Sequence, residues 1–415
     1  MHPITHAAAR PDHPAIVMAA SGDTVTYGAM NAYANRLARL LRAHGLGRGD
    51  CFAVLLGNSP HYLQILWGSQ RAGTMLVPVP SRLTAAEIAY ILNDSGARLL
   101  ISSSHFAPHL ADLRASCPDL SLLVIGGEGD EAFEPALAAQ SSQPVADPAP
   151  GQYMLYSSGT TGRPKGIRPP PPPSEDVLAP TPLVGLAVLG VGMPTDGSIV
   201  YLSPAPLYHA APLGWCSTVH RLGGTVVVME KFDPEAALAA IERYRVTDSQ
   251  WVPTHFVRML KLPEEARRRH DLSSHRRAMH AAAPCPVPVK QAMIEWWGPI
   301  LIEYYAGSEG IGMTLIGSED WLAHPGSVGK AVYGKLHVCG PEGEELPAGS
   351  DGLIYFESEQ VPSYHNDPAK TAAALHTAGW MTLGDIGHVD GDGYLYLTDR
   401  KSHMIISGGV NIYPQ

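Results

Sequence analysis

One short segment of this 415-residue sequence combines glycines, hydroxyl side chains and a lysine in a pattern that suits an anion. It reads YSSGTTGRPKG from Tyr156 to Gly166, and the apolar stretch Tyr153 to Tyr156 before it predicts a strand. Glycines let backbone N–H groups converge on a phosphate without Cβ obstruction, hydroxyls add donors, and Lys165 adds a point charge. Since Gly166 rather than Ser or Thr follows the lysine, the segment is not a GxxxxGK[ST] loop. A flexible surface loop is the plain alternative, which the lysine and the downstream residues disfavour.

Four further positions carry side chains that suit a magnesium nucleotide. Tyr305 offers a flat face for a purine, with a hydroxyl that can stay hydrated. Glu309 supplies a hard oxygen ligand for Mg²⁺, which neutralises charge on a phosphate during attack. Asp385, at a predicted strand end, can accept both ribose hydroxyls, and Arg400 can donate to ribose or phosphate. A core tyrosine, a solvated loop glutamate and a surface Asp–Arg pair are the alternative interpretations.

The histidines differ in what they suggest. His209 lies in an apolar segment beside Trp215, where it could gate a pocket or be a buried core histidine. His270, His275 and His280 recur every five residues, which does not place them on one helical face. Because no Cys or acidic partner stands at ligand spacing, we expect no zinc site there.

Together these segments resemble the adenylate-forming superfamily, in particular its acyl-CoA synthetase branch. The superfamily also contains aryl-CoA synthetases, peptide-synthetase adenylation domains and luciferases. The resemblance covers essentially the whole chain, and the motifs follow one another in the family's order. The matching segments are TVTYGAMN (24–31), RAGTMLVPV (71–79), YSSGTTGRPKG (156–166), PLYHAAPLG (206–214), AAAPCP (281–286), YYAGSEG (304–310) and GWMTLGDIGHVDGDGYLYLTDRK (379–401).

The resemblance implies an enzyme, an acid–thiol ligase that uses ATP and Mg²⁺ to convert a carboxylic acid to acyl-AMP and then to a CoA thioester. It assigns Lys165, His209, Ser308 and Glu309 to catalysis, and Thr161 and Glu309 to the metal. The residues that it assigns to the nucleotide are Ser157, Ser158, Gly159, Thr160, Thr161, Gly162, Lys165, Ala282, Ala283, Pro284, Tyr305, Ser308, Asp385 and Arg400.

The acid pocket is expected to be large and apolar. The resemblance assigns to it His209, Ala210, Leu213, Trp215, Thr254, Ala281, Gly307, Gly310 and Ile311. Small residues, including Gly312, would leave volume, and these segments contain no Lys or Arg to pair with a second carboxylate. We therefore expect a hydrophobic monocarboxylate, such as a fatty acid or an aryl or polycyclic acid.

Several positions depart from the family pattern. Ser308 stands for the usual threonine and keeps the hydroxyl, whereas Leu383 replaces a threonine or serine and removes one donor near the nucleotide. Gly352-Leu353 replaces the usual Gly-Glu of a structural motif. The run Pro169 to Pro173 displaces the sequence that normally follows the phosphate loop; it predicts a stiff polyproline segment and only weakly suggests a ligand for a proline-recognising domain.

The end of the chain is the largest departure, because family members continue for about a hundred residues as a small domain. That domain normally carries a lysine for adenylation and the surface that admits CoA. We expect a large N-terminal domain at 1–399, a hinge at 400–402 and the start of the small domain at 403–415. We therefore expect the 415-residue chain to make acyl-AMP slowly and little acyl-CoA, and residues 403–415 to be mobile or borrowed by a neighbour.

Two alternatives stay open at this point. The acyl-AMP could be delivered to a carrier protein or a separate ligase instead of CoA. A protein that binds the nucleotide without turnover is the alternative from another class, which Leu383 and the missing small domain make plausible.

The hydrophobic pattern predicts an α/β fold with two helix-covered, mostly parallel sheets and a small β-barrel. We place the sheet subdomains at about 1–180 and 181–324 and the barrel at about 325–398. Helical spacing from Met30 to Leu41, with a stop at Gly45, and strands at 51–57, 99–101 and 223–230 support this pattern. Asp233-Pro234 predicts the start of a helix that continues to Tyr244.

Composition limits the remaining possibilities. Hydrophobic residues make up 45% and charged residues 16%, which is typical of a folded enzyme. The net charge of −10, without a Lys or Arg run, argues against nucleic acid as a partner. Five scattered cysteines favour a reducing cytosol. The most apolar stretch, Val184 to Met193, is too short for a membrane span, so we expect a cytoplasmic protein. A homodimer is compatible with the sequence.

Overall fold

The computed structural model describes residues 2–157, 164–359, 361–400, 405–407 and 410–412. The chain divides into two compact units. The first unit consists of Met1–Val188 and Gly192–Phe232, and the second of Leu189–Val191 and Asp233–Gln415. The subdomain boundaries expected near residues 180 and 324 stay predictions.

A five-stranded parallel sheet organises much of the first unit. Its strands are short and rich in branched apolar residues, as expected for a sheet covered on both faces. Leu55, Val77 and Leu100 from three neighbouring strands are fully buried in its core. In sheet order the strands are Ser121–Ile125, Leu99–Ser103, Cys51–Leu55, Met75–Pro78 and Gln152–Tyr153.

Four more strands of the first unit form a second group, and two others form an antiparallel hairpin. In the second group, Pro14–Met18 and Thr225–Val228 run parallel. The group has the order Val200–Ser203, Thr225–Val228, Pro14–Met18, Thr24–Thr26, and the hairpin pairs Leu155–Ser157 with Lys165–Arg168. The α-helices of this unit are Pro3–Ala9, Tyr27–Ala43, Pro60–Ala72, Ala85–Ser95, Ala107–Ser116, Phe133–Ala138, Pro182–Gly185 and Ala210–Arg221.

Local sequence signals explain most of these boundaries. The helix Tyr27–Ala43 buries the predicted apolar face, and Gly45 beyond its end adopts a positive φ of 73°. The predicted strand Tyr153 to Tyr156 is interrupted at Met154, so its two halves belong to different sheets. The proline run lies outside helices and strands, and the Gln152 amide donates to the Pro170 carbonyl at 2.6 Å.

Three parallel strands, with helices before and between them, form the first part of the second unit. The strands are Asp248–Trp251, Arg277–His280 and Leu301–Ala306. Asp233 caps the first helix by accepting from two backbone N–H groups, as the sequence predicted. The helices of the unit are Pro234–Arg243, Pro253–Leu260, Glu264–Arg268, Val287–Trp297, Ser318–Ala323 and Pro368–Ala373.

Antiparallel strands continue the sheet of the second unit beyond Leu301–Ala306. Their order is Met313–Gly317, Ser327–Tyr333, Leu395–Arg400, Met381–Val389, Gly352–Glu357 and Lys335–Cys339. The short strands Ser363–Tyr364, Ile405–Ser407 and Val410–Ile412 complete the unit. The predicted α/β class is confirmed. Among the described strands, the antiparallel part forms an open sheet, and no strand pair closes it into a barrel.

The apolar stretch from Val184 to Met193 contributes only short helical turns, at Pro182–Gly185 and Leu186–Gly190. Throughout the part of the chain that the structure describes, every helix is too short or too polar to cross a membrane.

Candidate active site

In the second unit, the predicted site residues gather at one edge of the parallel sheet. The strands end at Trp251, His280 and Ala306, and each is followed by a predicted segment. These segments are the helix start containing Thr254, the loop 281–284, and the loop 307–310. Because the carboxyl ends of neighbouring parallel strands meet at the same edge, residues far apart in sequence converge there.

Tyr305 and Asp385 are joined directly. The Tyr305 hydroxyl donates to Asp385 Oδ2 at 2.7 Å, across 80 positions of sequence. Asp385 is buried and lies in the strand Met381–Val389, where its Cα faces that of Arg400 in the antiparallel register. The structure therefore brings together the predicted stacking ring and the predicted ribose-binding carboxylate.

The loop after His280 contains backbone strain. Ala282 has φ 78°, in the left-handed region that residues with a Cβ rarely adopt. Ala281 is buried, whereas Ala282, Ala283 and Pro284 are exposed. Strained, exposed backbone of this kind is concentrated at functional sites, where the surrounding structure holds it in place.

Glu309 has a partner that the sequence did not suggest. The Tyr364 hydroxyl donates to Glu309 Oε1 at 3.0 Å, and the Tyr364 backbone N–H donates to Thr371 Oγ1 at 3.0 Å. Burial, followed by the neighbouring Glu309 charge, raises the pKa of Tyr364, so its hydroxyl stays a donor at neutral pH. Tyr364 was missed because the contact spans 55 positions and no local pattern marks it.

Two of the glycines that were expected to leave pocket volume are closely packed against neighbouring side chains. A Cβ on Gly307 would lie 2.4 Å from Leu383 Cδ2 and 2.9 Å from Glu309 Oε2. A Cβ on Gly312 would lie 2.0 Å from the Phe356 ring. The interpretation of Gly312 as free pocket volume is therefore wrong, because an aromatic ring fills that space. At Gly307, an added side chain would first displace Leu383 and Glu309.

The other predicted residues of this region differ in exposure. Ser308 and Gly310 are exposed, Thr254 is exposed at the start of its helix, and Ile311 is fully buried. Their assignment to phosphate or acid stays a prediction.

In the first unit, Ser157 and Lys165 are brought face to face by the hairpin that flanks the glycine-rich segment. Ser157 Oγ is buried and has no hydrogen-bond partner within the described part of the chain. A buried hydroxyl left without a partner normally has an explanation, and a bound anion is one. Ser158, Gly159, Thr160, Thr161 and Gly162, which complete the predicted phosphate loop, lie outside the described residues.

His209 occupies the position just before the helix Ala210–Arg221. Its side chain is exposed, and partial desolvation followed by the Arg82 charge lowers its pKa, so the imidazole is neutral at pH 7. Leu213 and Trp215, expected to line the acid pocket, are buried within the unit, and Ala210 is half-buried.

Asn58 fixes the segment that leads to His209 and was not predicted. Its side-chain amide donates to the carbonyls of Ala205 at 3.0 Å and Met229 at 2.8 Å. Its Oδ1 accepts from the Leu207 backbone N–H at 2.9 Å. These three contacts hold two backbone segments with one side chain. The signal available in the sequence was only a lone Asn after a buried strand.

The described residues fit a magnesium ion that is bound together with phosphate. Mg²⁺ usually takes one or two protein carboxylates and completes its shell with phosphate oxygens and water. Glu309 is a half-buried carboxylate on a loop, oriented through one oxygen by Tyr364. Across the described residues no cluster of three or more His, Cys, Asp or Glu could hold a metal by itself. This donor set suits a metal that arrives with a nucleotide.

Comparison with known proteins gives consistent matches. A family model described as AMP-binding enzyme matches residues 4–363. A feruloyl-CoA synthase from Amycolatopsis sp is 36% identical over 400 residues, covering 95% of this chain and 77% of that protein. The fatty acid–[acyl-carrier-protein] ligase ScoC from Streptomyces coeruleorubidus is 32% identical over 431 residues, covering 99% and 78%. The solved structure of a Mycobacterium tuberculosis fatty acyl CoA synthetase superposes with a TM-score of 0.82 at 30% identity, covering 99% of this chain and 80% of that one.

Proposed function

The chain belongs to the AMP-binding enzyme family, and we propose that it uses ATP to convert a carboxylic acid to an acyl-adenylate with release of pyrophosphate. The family resemblance and the enzyme class predicted from the sequence, an acid–thiol ligase, are confirmed by the family match and the relatives. The observation that carries the proposed reaction is the Tyr305–Asp385 contact, since it joins the ring proposed to stack on the purine to the acid proposed to hold the ribose.

In the proposed first step, a carboxylate oxygen of the acid attacks the α-phosphorus of ATP. The bond from that phosphorus to the bridging oxygen breaks, and pyrophosphate leaves with the electron pair. Tyr305 would stack on adenine, Asp385 and Arg400 would hold the ribose, and Lys165 with the hydroxyls of the glycine-rich segment would bind phosphate oxygens. A magnesium ion at Glu309 would supply positive charge that neutralises the phosphates. Catalysis would then rest on positioning and electrostatics.

The proposed second step transfers the acyl group to a thiol. The thiol sulfur attacks the acyl carbon, the bond to AMP breaks, and the thiol proton is released to solvent. CoA is the acceptor that we favour, because it is named in the feruloyl-CoA synthase and fatty acyl CoA synthetase relatives. A carrier-protein thiol is the second candidate, which the name of the ScoC relative supports.

A hydrophobic monocarboxylate is the proposed acid. His209, which is neutral and exposed, stands at the helix start next to Ala210 and offers no charge for a second carboxylate. The segments 206–214, 281–286 and 304–310, which the resemblance assigns to the acid pocket and the nucleotide, contain no Lys or Arg, so a second charge buried among them would be costly, which disfavours amino acids and dicarboxylates. The relatives named for feruloyl and fatty acyl groups are consistent with this class.

ATP–pyrophosphate exchange with a panel of acids tests the proposal. The panel should contain aryl acids, medium-chain and long-chain fatty acids, acetate and an amino acid. We expect exchange with the hydrophobic acids. Acetate or an amino acid as the best substrate would overturn the proposed acid class and leave adenylation intact. Nucleotide binding without exchange for any acid would indicate the non-catalytic alternative.

The acceptor is decided by a separate assay. Acyl-AMP formed from the best acid is offered CoA, or a phosphopantetheine-bearing carrier protein, at equal concentration. Thioester on CoA supports the favoured acceptor, and thioester only on the carrier supports the second candidate.

A further inference from the structure

A buried carboxylate in the second unit is approached by two nitrogen-containing side chains that the proposed chemistry does not use. Lys290 Nζ donates to Glu303 Oε2 at 2.6 Å, and His280 Nε2 lies 3.7 Å from the same oxygen. Lys290 and His280 are fully buried, and Glu303 is 5% exposed. The Lys290 ammonium also lies 4.7 Å from the centre of the Trp321 ring.

Burial of these ionisable side chains is energetically unfavourable. Burial lowers the pKa of Lys290 and raises that of Glu303, and the charge of each partner opposes the shift in the other. Replacing a buried ion pair by apolar residues of similar volume is often neutral or stabilising. Overall stability alone therefore does not explain a lysine and a glutamate at this place. Their location in the fold offers an explanation.

Two of the three side chains, those of His280 and Lys290, stand at opposite ends of one loop. His280 is the last residue of its strand, and Lys290 lies in the first turn of the helix Val287–Trp297. Between them runs the segment 281–286, which contains the strained Ala282. A strained backbone persists only where the surrounding structure over-determines it. Lys290 bonds the Glu303 carboxylate from the helix end of the loop, while the sheet register holds His280, at the strand end, beside Glu303. The Lys290–Glu303 bond therefore fixes the helix stem of the loop to the sheet that carries the strand stem.

The strand that carries Glu303 also carries the proposed purine-stacking ring. Glu303 and Tyr305 are two positions apart in Leu301–Ala306, so their side chains point to the same face of the sheet. In the parallel register, His280 lies directly beside Glu303. A displacement of this carboxylate would thus affect the loop and the strand that leads to the ring.

We propose that Glu303 and Lys290 are positioning residues that clamp the stems of the loop 281–286 and thereby shape the adenine-binding surface. The inference rests on the proposed function for its nucleotide, while the clamp on the loop can be measured without any ligand. Neither side chain touches the reacting atoms in this proposal; each acts through the backbone of the loop.

The test uses the whole chain with two variants and one control. Lys290→Met removes the ammonium, and Glu303→Gln keeps the side-chain shape while removing the charge. Arg277→Met is the matched control, because Arg277 begins the strand that His280 ends and donates to the fully buried Asp248 at 3.1 Å. This control removes the cationic partner of a buried carboxylate in the same sheet, at the edge remote from the loop.

Two readouts are compared in each folded variant. Amide hydrogen exchange of 281–286, without ligand, should accelerate about tenfold in Lys290→Met and less in Glu303→Gln, and should be unchanged in Arg277→Met. Calorimetric ATP affinity should fall by about tenfold or more in Lys290→Met, with a smaller loss in Glu303→Gln. Circular dichroism establishes that each variant is folded at the assay temperature.

The outcomes separate the clamp from the proposed function. Unchanged loop exchange in both clamp variants would overturn the inference, as would faster exchange with unchanged ATP affinity. If Lys290→Met does not fold, the milder Glu303→Gln decides the same two comparisons. A wild-type protein that binds no ATP would overturn the proposed function, and the ligand-free exchange would still decide whether the clamp exists.

Discussion

The two ends of the parallel strands in the second unit both contain buried ionisable groups, but they are built differently. At the amino ends, Arg277 donates to the fully buried Asp248, and Ser249 Oγ shares a hydrogen bond of 2.6 Å with Nε2 of the buried His275. At the carboxyl ends, the buried Lys290–Glu303 pair adjoins the loop 281–286, which contains the strained Ala282.

The difference shows that burial of charge does not by itself identify a functional site. Both edges bury ionisable side chains. Left-handed backbone occurs at both edges, at Arg245 with φ 53° after the helix Pro234–Arg243 and at Ala282 with φ 78° in the loop after His280. The carboxyl edge differs because the residues predicted to bind the nucleotide follow the strands there. We therefore expect substitutions at the carboxyl edge to change nucleotide chemistry and substitutions at the amino edge to change stability.

Glu309→Gln should give the largest effect. It removes the carboxylate proposed to hold magnesium, and we expect pyrophosphate exchange to fall about 1,000-fold, near 4 kcal/mol in transition-state stabilisation. The midpoint of thermal unfolding should stay within a few degrees of wild type, since Glu309 lies on a loop. Near-normal exchange in this variant would refute the metal assignment.

Arg277→Met should give the opposite pattern. Removing the half-buried Arg277 leaves the fully buried Asp248 without its guanidinium, and we expect a loss of about 3 kcal/mol in the free energy of unfolding. ATP affinity of the folded protein should be unchanged. Urea denaturation measures the free energy of unfolding, and calorimetry measures the ATP affinity. A weakened ATP affinity would show that the amino edge also affects nucleotide binding, contrary to the proposed difference between the edges.

Acid should weaken the amino edge through His275. Burial lowers the pKa of His275 from 6.5 to about 3. Its Nε2 is hydrogen-bonded to Ser249 Oγ, which accepts from Trp251 Nε1 at 2.6 Å. The unfolded chain therefore binds a proton below pH 6.5 that the folded chain excludes. The folded state keeps its full stability with respect to His275 above pH 6.5, and it loses stability as the pH falls from 6.5 toward 3.

Between pH 7.5 and pH 5 we expect His275 to account for about 2 kcal/mol of lost stability. Urea denaturation at both pH values measures the loss, with His275→Gln as the control. An equal loss in that variant would assign the pH dependence to other groups.

Asp385→Ala should weaken ATP binding by about 1.5 kcal/mol, roughly tenfold in Kd. The substitution removes the proposed ribose acceptor and leaves the Tyr305 hydroxyl without the carboxylate. Tyr305→Phe serves as the comparison, since it removes only the contact between the two side chains. An ATP affinity that Asp385→Ala leaves untouched would exclude the ribose role.

Ala282→Gly should have the smallest effect and the opposite sign on stability. Glycine adopts positive φ without a Cβ penalty, so relief of strain should stabilise the protein by about 1 kcal/mol. If the loop is held by its stems, ATP affinity should change little. Thermal unfolding and calorimetry check both statements, and a destabilised variant would show that the Ala282 methyl group contributes packing that outweighs its strain.

Local signals were sufficient for much of the fold. The helix Tyr27–Ala43 and the Asp233 cap follow from residues within one or two turns, so the sequence could predict them. Site residues in the matching motifs were identified for a related reason, because each motif is contiguous. Their roles stay proposals, and the loop 158–163 lies outside the described residues.

Contacts between distant residues could not be predicted. The partners Tyr364 and Glu309 are 55 positions apart, and the tertiary fold brings them together rather than any periodicity. Lys290 was unexpected for another reason: a lysine on a helix normally predicts a solvated face, yet this one is fully buried. Similarly, the glycine at 312 suggested free space, and only the fold shows that Phe356 fills it.

Leu383 has a consequence for how Glu309 responds to dissolved salt. Both side chains border the same glycine, Gly307, and Glu309 is half-buried, so its carboxylate is partly shielded from solvent. Mobile ions screen charges effectively in water, over a Debye length of about 10 Å at 0.1 M, but screen partly buried charges much less. An attraction between this carboxylate and a cation should therefore persist at ionic strengths that would erase an equivalent attraction on an open surface.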